Sequence, residues 1–412
     1  MQRWLKLSKY LTQNGWQAVV LTPENPAYAI SDSSLLEEQA LELEVLKIPI
    51  WEPLHLFKSN KDKQKASYGL GGEGKGVIGK LMGWLRANLF IPDPRKFWVK
   101  PAVQFATSIL EDNQIEAVIT TGPPHSMHLI GYELSKATGL PWLADFRDPW
   151  SDWKILHDLG PSNLALELHR KLELKVLKQA DAIVATSKHT LMDLMAKLNG
   201  AEKLMKVVYN GFDGKIGTQK NKLAKTNVLV HTGFLNEERN PANLWKAIAQ
   251  YNKTLGAAEK IQLHLYGIVG DNILQELEET MGSTAFTYFG SVLHPEALSA
   301  MQQARVLLLL NGKNELSRGI VPAKTFEYLS TGNPVFYVGF KQGEVAEILN
   351  QFQHHTISGY ADSVEELVQE LKKVFGSQAV GLDNEILAKY HRKAQAGQIA
   401  EILNTISPPL KL

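Results

Sequence analysis

Short apolar runs alternate along the chain with longer stretches whose apolar positions recur at helical spacing. In the second half, residues 227–231, 261–266, 286–289, 306–310, 335–338 and 355–357 read as strands. Helices are predicted between and after them at 242–252, 272–280, 295–303, 323–329, 363–375 and 385–403. The first half repeats this grammar, with strands at 16–21, 43–50, 115–120, 141–144, 182–185 and 206–209. Its helices fall at 2–13, 103–110, 127–136, 164–178 and 188–198. Runs that are apolar without alternation suit strands buried on both faces of a parallel sheet, so the class is α/β. The polar run DGKIGTQKNKLAKT has linker composition and divides the chain. The expected domains are 1–212 and 226–382, joined by a linker at 213–225 and followed by a terminal helical segment at 383–412.

The stretch RVLLLLNGKNELSRGIVPAKTFEYLSTGNPVFYVGF, residues 305–340, organises the second half. It reads as strand, polar loop, short helix and strand, with Pro322 at the helix start and Gly332 at its end. A helix in this position points its free N–H groups and positive dipole end toward the sheet edge where ligands of open α/β folds bind. Lys324 in the first turn adds charge toward a phosphate. Glu327, one turn on, has two readings: a solvated helix residue, or a carboxylate accepting two hydrogen bonds from a sugar's vicinal hydroxyls.

Composition narrows the class. The chain has 412 residues, 44% hydrophobic and 21% charged, as in a soluble globular protein of two or more domains. A net charge of +1 argues against a dedicated nucleic-acid binder. With no cysteine, disulfides, thiolate metal sites and cysteine nucleophiles are excluded. No apolar run reaches the roughly 18 residues of a membrane span, and the N-terminus lacks a signal-peptide core, so a cytoplasmic enzyme is expected.

Charge is nevertheless local. Residues 58–100 hold ten basic against three acidic residues. Within them GVIGKLMGWLRANLFI sets Leu81, Trp84, Leu85 and Leu89 on a helical face beside Lys80 and Arg86. Such a segment either packs on the N-terminal domain with its basic side in water or lies against an anionic membrane. GLGGEGK at 69–75 fits G-x-x-x-x-G-K, but Gly76 replaces the magnesium-binding Ser/Thr and no strand leads into it, so it reads as a loop.

Other candidate residues lie at strand exits. TGPPHS follows the strand at 115–120, and its His125 is either an exposed loop histidine or a ligand contact. In ADFRDPWSDW, Asp145 and Asp148 are the candidates for a base, with acceptor recognition and an Asp–Arg brace as competing readings. In HTGFLNEERNP, Gly233 makes the turn, and Arg239 begins the next helix near where a diphosphate would rest, with Arg318 or Lys324 as a partner.

PAKTFEYLSTGNPVF resembles the donor-site segment of GT-B glycosyltransferases of the family 4 type, and TGPPHS resembles a motif of their bacterial branch. The resemblance implies two Rossmann-like doubly wound domains with an intervening cleft, and a final helix that returns to the first domain. It implies that Glu327 holds the nucleotide ribose and that FGSVLHPEAL lies against the base, through Val292 with Tyr266 nearby. His125 would then contact the donor sugar or help position the acceptor. The sequence departs from the family at Gly319, where an acidic residue is common, and at Phe234, where a basic one often follows the turn glycine. The family's opening strand and Gly-rich turn are also lacking before residue 2.

The implied activity is retaining transfer of a sugar from a UDP- or GDP-sugar to a glycan or lipid-linked acceptor in bacterial surface polysaccharide synthesis. Neither a cofactor nor a metal is implied, since helix N-termini and basic residues would stabilise the leaving diphosphate. The basic segment at 58–100 would allow contact with the inner face of the cytoplasmic membrane. Rival readings are a UDP-sugar epimerase of GT-B shape and a nucleotide-sugar-binding protein without turnover.

Overall fold

The computed structural model describes residues 2–26, 43–52, 77–110, 114–214, 226–353, 355–377 and 383–407. The G-x-x-x-x-G-K stretch at 69–75, the basic segment before residue 77 and the linker residues 215–225 lie outside the described residues. The chain forms two compact units, Met1–Tyr209 with Arg392–Leu412, and Asn210–His391.

The first unit opens with helix α1 (Gln2–Leu11), followed by strands β1 (Val19–Pro23) and β2 (Glu44–Ile48), a parallel pair. Helices α2 (Val77–Leu89) and α3 (Val99–Leu110) lead to a second parallel sheet. Its order is β3 (Val118–Gly122), β4 (Trp142–Phe146), β5 (Ala182–Ala185) and β6 (Leu204–Val207). Between these strands run α4 (Ser126–Thr138), α5 (Lys154–Asp158), α6 (Asn163–Gln179) and α7 (Lys188–Lys197). Ser162 and Ser187 cap α6 and α7 by accepting from Ala165 and Thr190 backbone N–H groups, which satisfies donors the helices leave free. Every residue of β4 and β5 is buried, as their apolar runs predict for covered parallel strands, with Asp145 the one charged residue among them.

The second unit is one six-stranded parallel sheet. Its strands are β7 (Val228–Thr232), β8 (Gln262–Tyr266), β9 (Phe286–Gly290), β10 (Val306–Leu310), β11 (Val335–Val338) and β12 (Thr356–Ser358). Its helices are α8 (Ala242–Asn252), α9 (Asp271–Met281), α10 (His294–Gln303), α11 (Lys324–Thr331), α12 (Glu344–Leu349) and α13 (Val364–Gly376). The spatial order β12-β11-β10-β7-β8-β9 reverses direction between β7 and β10. That is a topological switch point, where the carboxyl ends of adjacent strands leave a crevice. Val306 to Leu310 are all buried and pair with β7 and β11 on either side. Each such side chain stabilises the sheet by about 1.5–3 kcal/mol relative to exposure.

The single helix expected at 385–403 is instead two, α14 (Asn384–Ala388) and α15 (Arg392–Ile406). The break has a cause: the Phe212 N–H donates to the Tyr390 carbonyl at 3.1 Å, and Phe212 bridges His391 as parallel β structure. Beyond it, α15 packs on α1 and joins Leu7, Leu11, Leu143 and Val184 in one apolar cluster of the first unit.

Candidate functional site

At the switch point three strand ends are tied together by glycine turns. The Gly233 N–H donates to the Tyr266 carbonyl at 2.6 Å, and the Gly267 N–H to the Gly290 carbonyl at 2.6 Å. The Ile268 N–H returns to the Gly233 carbonyl at 3.1 Å. Gly233 and Gly267 have φ of +114° and +113°, a region that side chains rarely adopt. A Cβ on Gly267 would also lie 2.2 Å from the Gly233 oxygen.

Helix α11 closes this turn from the β10 side. The Lys324 ammonium donates to the Thr232 carbonyl. Two residues of β7 and α11 are joined again where the Thr232 N–H donates to the Tyr328 hydroxyl at 2.9 Å. Burial raises the Tyr328 pKa to about 12, so the hydroxyl stays neutral. The Lys324 pKa falls to about 8, first because its ammonium is desolvated, then because the Arg239 charge is close; Glu327 opposes the fall. Lys324, Arg239 and Glu327 thus share one electrostatic environment. Arg239 ends the short 3-10 turn Glu237–Arg239 and stands 5.8 Å from the Phe234 ring.

Glu327 is half-buried and faces His294 at the start of α10, with Oε1 3.9 Å from Nε2. Val292, also half-buried, lies two residues before that histidine. Tyr266 at the end of β8 stacks on Phe289 with centroids 4.4 Å apart and planes 2° apart. Arg318 is not part of the group: it is exposed and turns to Glu315 and the Gln342 carbonyl, at 3.9 and 3.1 Å. Beneath the site His231 is buried on β7, its pKa lowered to about 3 by desolvation and then by Lys324. Its Nδ1 lies 2.9 Å from the Leu308 carbonyl.

In the first unit the structure revises the expected acid/base residue. Asp145 is fully enclosed, and its oxygens accept from Arg3 at 3.0 and 3.3 Å, Trp4 at 2.6 Å and Thr121 at 2.8 Å. Burial alone would raise its pKa, but Arg3 and these donors hold it below the ordinary carboxylate value. It is a brace between α1 and the ends of β3 and β4, and it has no exposed lone pair for proton transfer. Its ion-pair partner is Arg3, while Arg147 donates to the Gly122 and Pro123 carbonyls and braces the TGPPHS loop.

His125 is buried rather than exposed, stacked on Trp150 at 4.9 Å and 5°. Its pKa lies well below the ordinary value because it is desolvated and neighbours His128. Trp150 is itself buried and donates to His169 at 3.1 Å, so it offers no face to an acceptor sugar. Asp152 pairs with Lys197 at 2.5 Å. Asp148 and Trp153 are half-buried. Sequence reasoning missed Arg3 and His294; the signal for His294 was its place in FGSVLHPEAL, where a helix begins beside the proposed base. Among the described residues no group of three or more metal-ligating side chains is assembled.

No protein-family model matches the chain. No curated protein matches it in sequence. Similarity to solved structures is extensive in shape and low in sequence. A glycosyltransferase from Rickettsia africae superimposes with a TM-score of 0.59 at 12% identity, covering 99% of this chain and 95% of that one. The lipopolysaccharide outer core galactosyltransferase WaaB gives 0.58 at 12% identity over 97% and 94%. A protein assigned as a UDP-N-acetylglucosamine 2-epimerase from Listeria monocytogenes gives 0.54 at 9% identity over 98% and 92%. The chain has the GT-B fold, with two Rossmann-like domains.

Proposed function

We propose that the chain is a retaining glycosyltransferase of the family 4 type. It takes a sugar from a UDP- or GDP-sugar and delivers it to a glycan or lipid-linked acceptor in bacterial surface polysaccharide synthesis. It works in the cytoplasm, at the inner face of the membrane. One observation carries this reading. At the switch point the Lys324 ammonium is buried with Arg239 close by, and desolvation first and then the Arg239 charge bring its pKa to about 8, beside a helix N-terminus and a half-buried carboxylate. An anion there offsets the Arg239 charge, and a diphosphate fits the helix end and both charges. Glu327 then accepts from the ribose hydroxyls, and Tyr266 and the Val292 backbone meet the base. On the acceptor side the half-buried Asp148 is the candidate base, while His125, enclosed against Trp150 and Trp153, shapes the TGPPHS loop instead of touching the sugar. No metal or cofactor is assigned, because Lys324, Arg239 and the α11 N-terminus supply the charge.

Calorimetric titration with UDP and GDP tests the reading directly. The wild-type protein binds one of them, and Glu327→Ala loses that binding. Unchanged affinity in Glu327→Ala removes the central residue. Epimerised UDP-sugar formed without an acceptor replaces the transferase by an epimerase, the reaction class named for the Listeria neighbour. Nucleotide binding without turnover on any acceptor leaves a binding protein.

A further inference from the structure

The loop that follows β4 is tied down on both sides of Asp148 by groups that the nucleotide site does not use. Ahead of it, the Arg147 N–H donates to the Gly122 carbonyl at 2.9 Å, and the Thr186 hydroxyl donates to the Arg147 carbonyl at 2.7 Å. Behind it, the Trp150 indole N–H donates to His169 at 3.1 Å and the Ser151 hydroxyl donates to Glu173. His157 Nε2 lies 3.0 Å from the Ser151 carbonyl. Asp148 and Pro149 span the gap between these ties. The proline ring fixes its own φ and narrows the backbone choice of the residue before it.

His169 and Glu173 stand one turn apart on α6, so a single helix face receives the loop. Glu173 is buried, and its Oε1 meets no hydrogen-bond donor. A carboxylate so enclosed requires a cation, and Lys197 at the end of α7 supplies it, 2.8 Å from Oε2. The same ammonium donates to the Ser151 hydroxyl at 3.1 Å and reaches Asp152 Oδ2 at 2.5 Å. Its three N–H bonds are thus shared between α6 and two successive residues of the loop. Burial would lower the Lys197 pKa, but Glu173 and Asp152 outweigh it and raise the value, so the ammonium stays charged.

We infer that Lys197 and Asp152 are positioning residues: the buried Lys197–Glu173 pair is a fixed post between α6 and α7, and Asp152 ties the loop to it so that the Asp148 carboxylate is held where it takes a proton. The inference rests on Asp148 as the base of the proposed transferase. A base displaced by about 1 Å loses up to about 100-fold in rate. Nucleotide binding, assigned to Glu327, Lys324 and Arg239, does not depend on this loop.

Hydrolysis of UDP-glucose, UDP-galactose, UDP-N-acetylglucosamine and GDP-mannose by the full chain, with water as acceptor, tests it. The bond from the anomeric carbon to the diphosphate oxygen breaks, water adds its oxygen to that carbon and its proton passes to Asp148, and the nucleoside diphosphate leaves with the electron pair. On whichever donor turns over, Asp152→Asn lowers kcat by about tenfold or more. Its KM, its affinity for UDP or GDP and its thermal unfolding match the wild type, since the Asp152 side chain is 42% exposed and the Lys197–Glu173 pair survives. Asp152→Glu, which keeps the ion pair, retains most of the rate. Asp148→Asn is slower still, and adding Asp152→Asn to it costs nothing more, as expected of two residues that act through one carboxylate. A wild-type kcat in Asp152→Asn, or losses that multiply in the double variant, overturns the positioning role and leaves Asp148 as the base. Full turnover by Asp148→Asn removes the base and the inference with it, and so does a wild type that turns over none of the donors.

Discussion

The Lys324 ammonium occupies the space that a side chain at Gly233 would need: a Cβ built there would lie 1.9 Å from Nζ. Glycine at 233 and lysine at 324 are therefore one structural choice, made by residues far apart in the chain. Gly233→Ala must displace the ammonium and also adopt a φ near +114°, at a cost of about 1–2 kcal/mol in the backbone alone. Thermal unfolding should show that loss. Nucleotide affinity should fall by at least about tenfold, since the displaced charge no longer faces the diphosphate.

Lys324→Met separates charge from shape. It keeps the helix and removes the ammonium, so affinity for a nucleoside diphosphate should drop by about 1.5–3 kcal/mol while a nucleoside binds as before. Equal losses for both ligands would move the lysine away from the phosphates.

The same ammonium sets a pH dependence. Its pKa is about 8 instead of 10.5, so it is charged below that value and neutral above it. Nucleotide affinity should be level near pH 7 and decline as pH rises through about 8, a decline absent from Lys324→Met. Titration calorimetry across that interval reads both curves.

Glu327 and His294 make a second pair, 3.9 Å apart. If the carboxylate accepts from ribose hydroxyls, the wild type should prefer UDP or GDP to the 2′-deoxy analogue by about tenfold, and Glu327→Ala should treat them alike. His294→Gln should lose part of that discrimination, because the carboxylate is then held less firmly. Undiminished discrimination in Glu327→Ala would exclude this contact.

In the first unit the Arg3–Asp145 pair is buried on both sides. Arg3→Ala leaves an enclosed carboxylate without its cation and should cost about 3–5 kcal/mol in chemical denaturation. The Asp145 carboxyl is held below 3.8, so its contribution is present above that pH and disappears as pH falls through the folded value. His128 and His231 act over a higher interval. Both fall from 6.5 to about 3 through burial, so the unfolded chain takes up their protons first. Stability should be full above about pH 6.5 and decline toward pH 3, by about 1.4 kcal/mol per pH unit for each histidine. His128→Phe should flatten that slope; an unchanged slope would show that the histidine is protonated when folded.

The strand–helix grammar was legible because it is local. The run Val306 to Leu310, Pro322 before α11 and Gly332 after it set the β10–α11–β11 unit within a residue or two. The position of Lys324 and Glu327 on that helix followed from spacing alone. What escaped depends on pairing across sequence. Asp145 read as a candidate base or as half of an Asp–Arg brace, and its cation, Arg3, escaped because it lies 142 residues away. Trp150 lies in the ADFRDPWSDW stretch read as acceptor recognition, but the His125 ring stacked on it and the hydrogen bond from its indole N–H to His169 belong to an enclosed side chain. The terminal helix read as continuous because the bridge between Phe212 and His391 that interrupts it leaves no local signature.

That interruption has a practical side. The polypeptide enters the second unit at Asn210 and leaves it at His391, so α15, made after that whole unit, completes the apolar cluster of the first. A nascent chain cannot finish its first unit until translation has passed Leu403, and a premature stop before it would harm the portion already made long before.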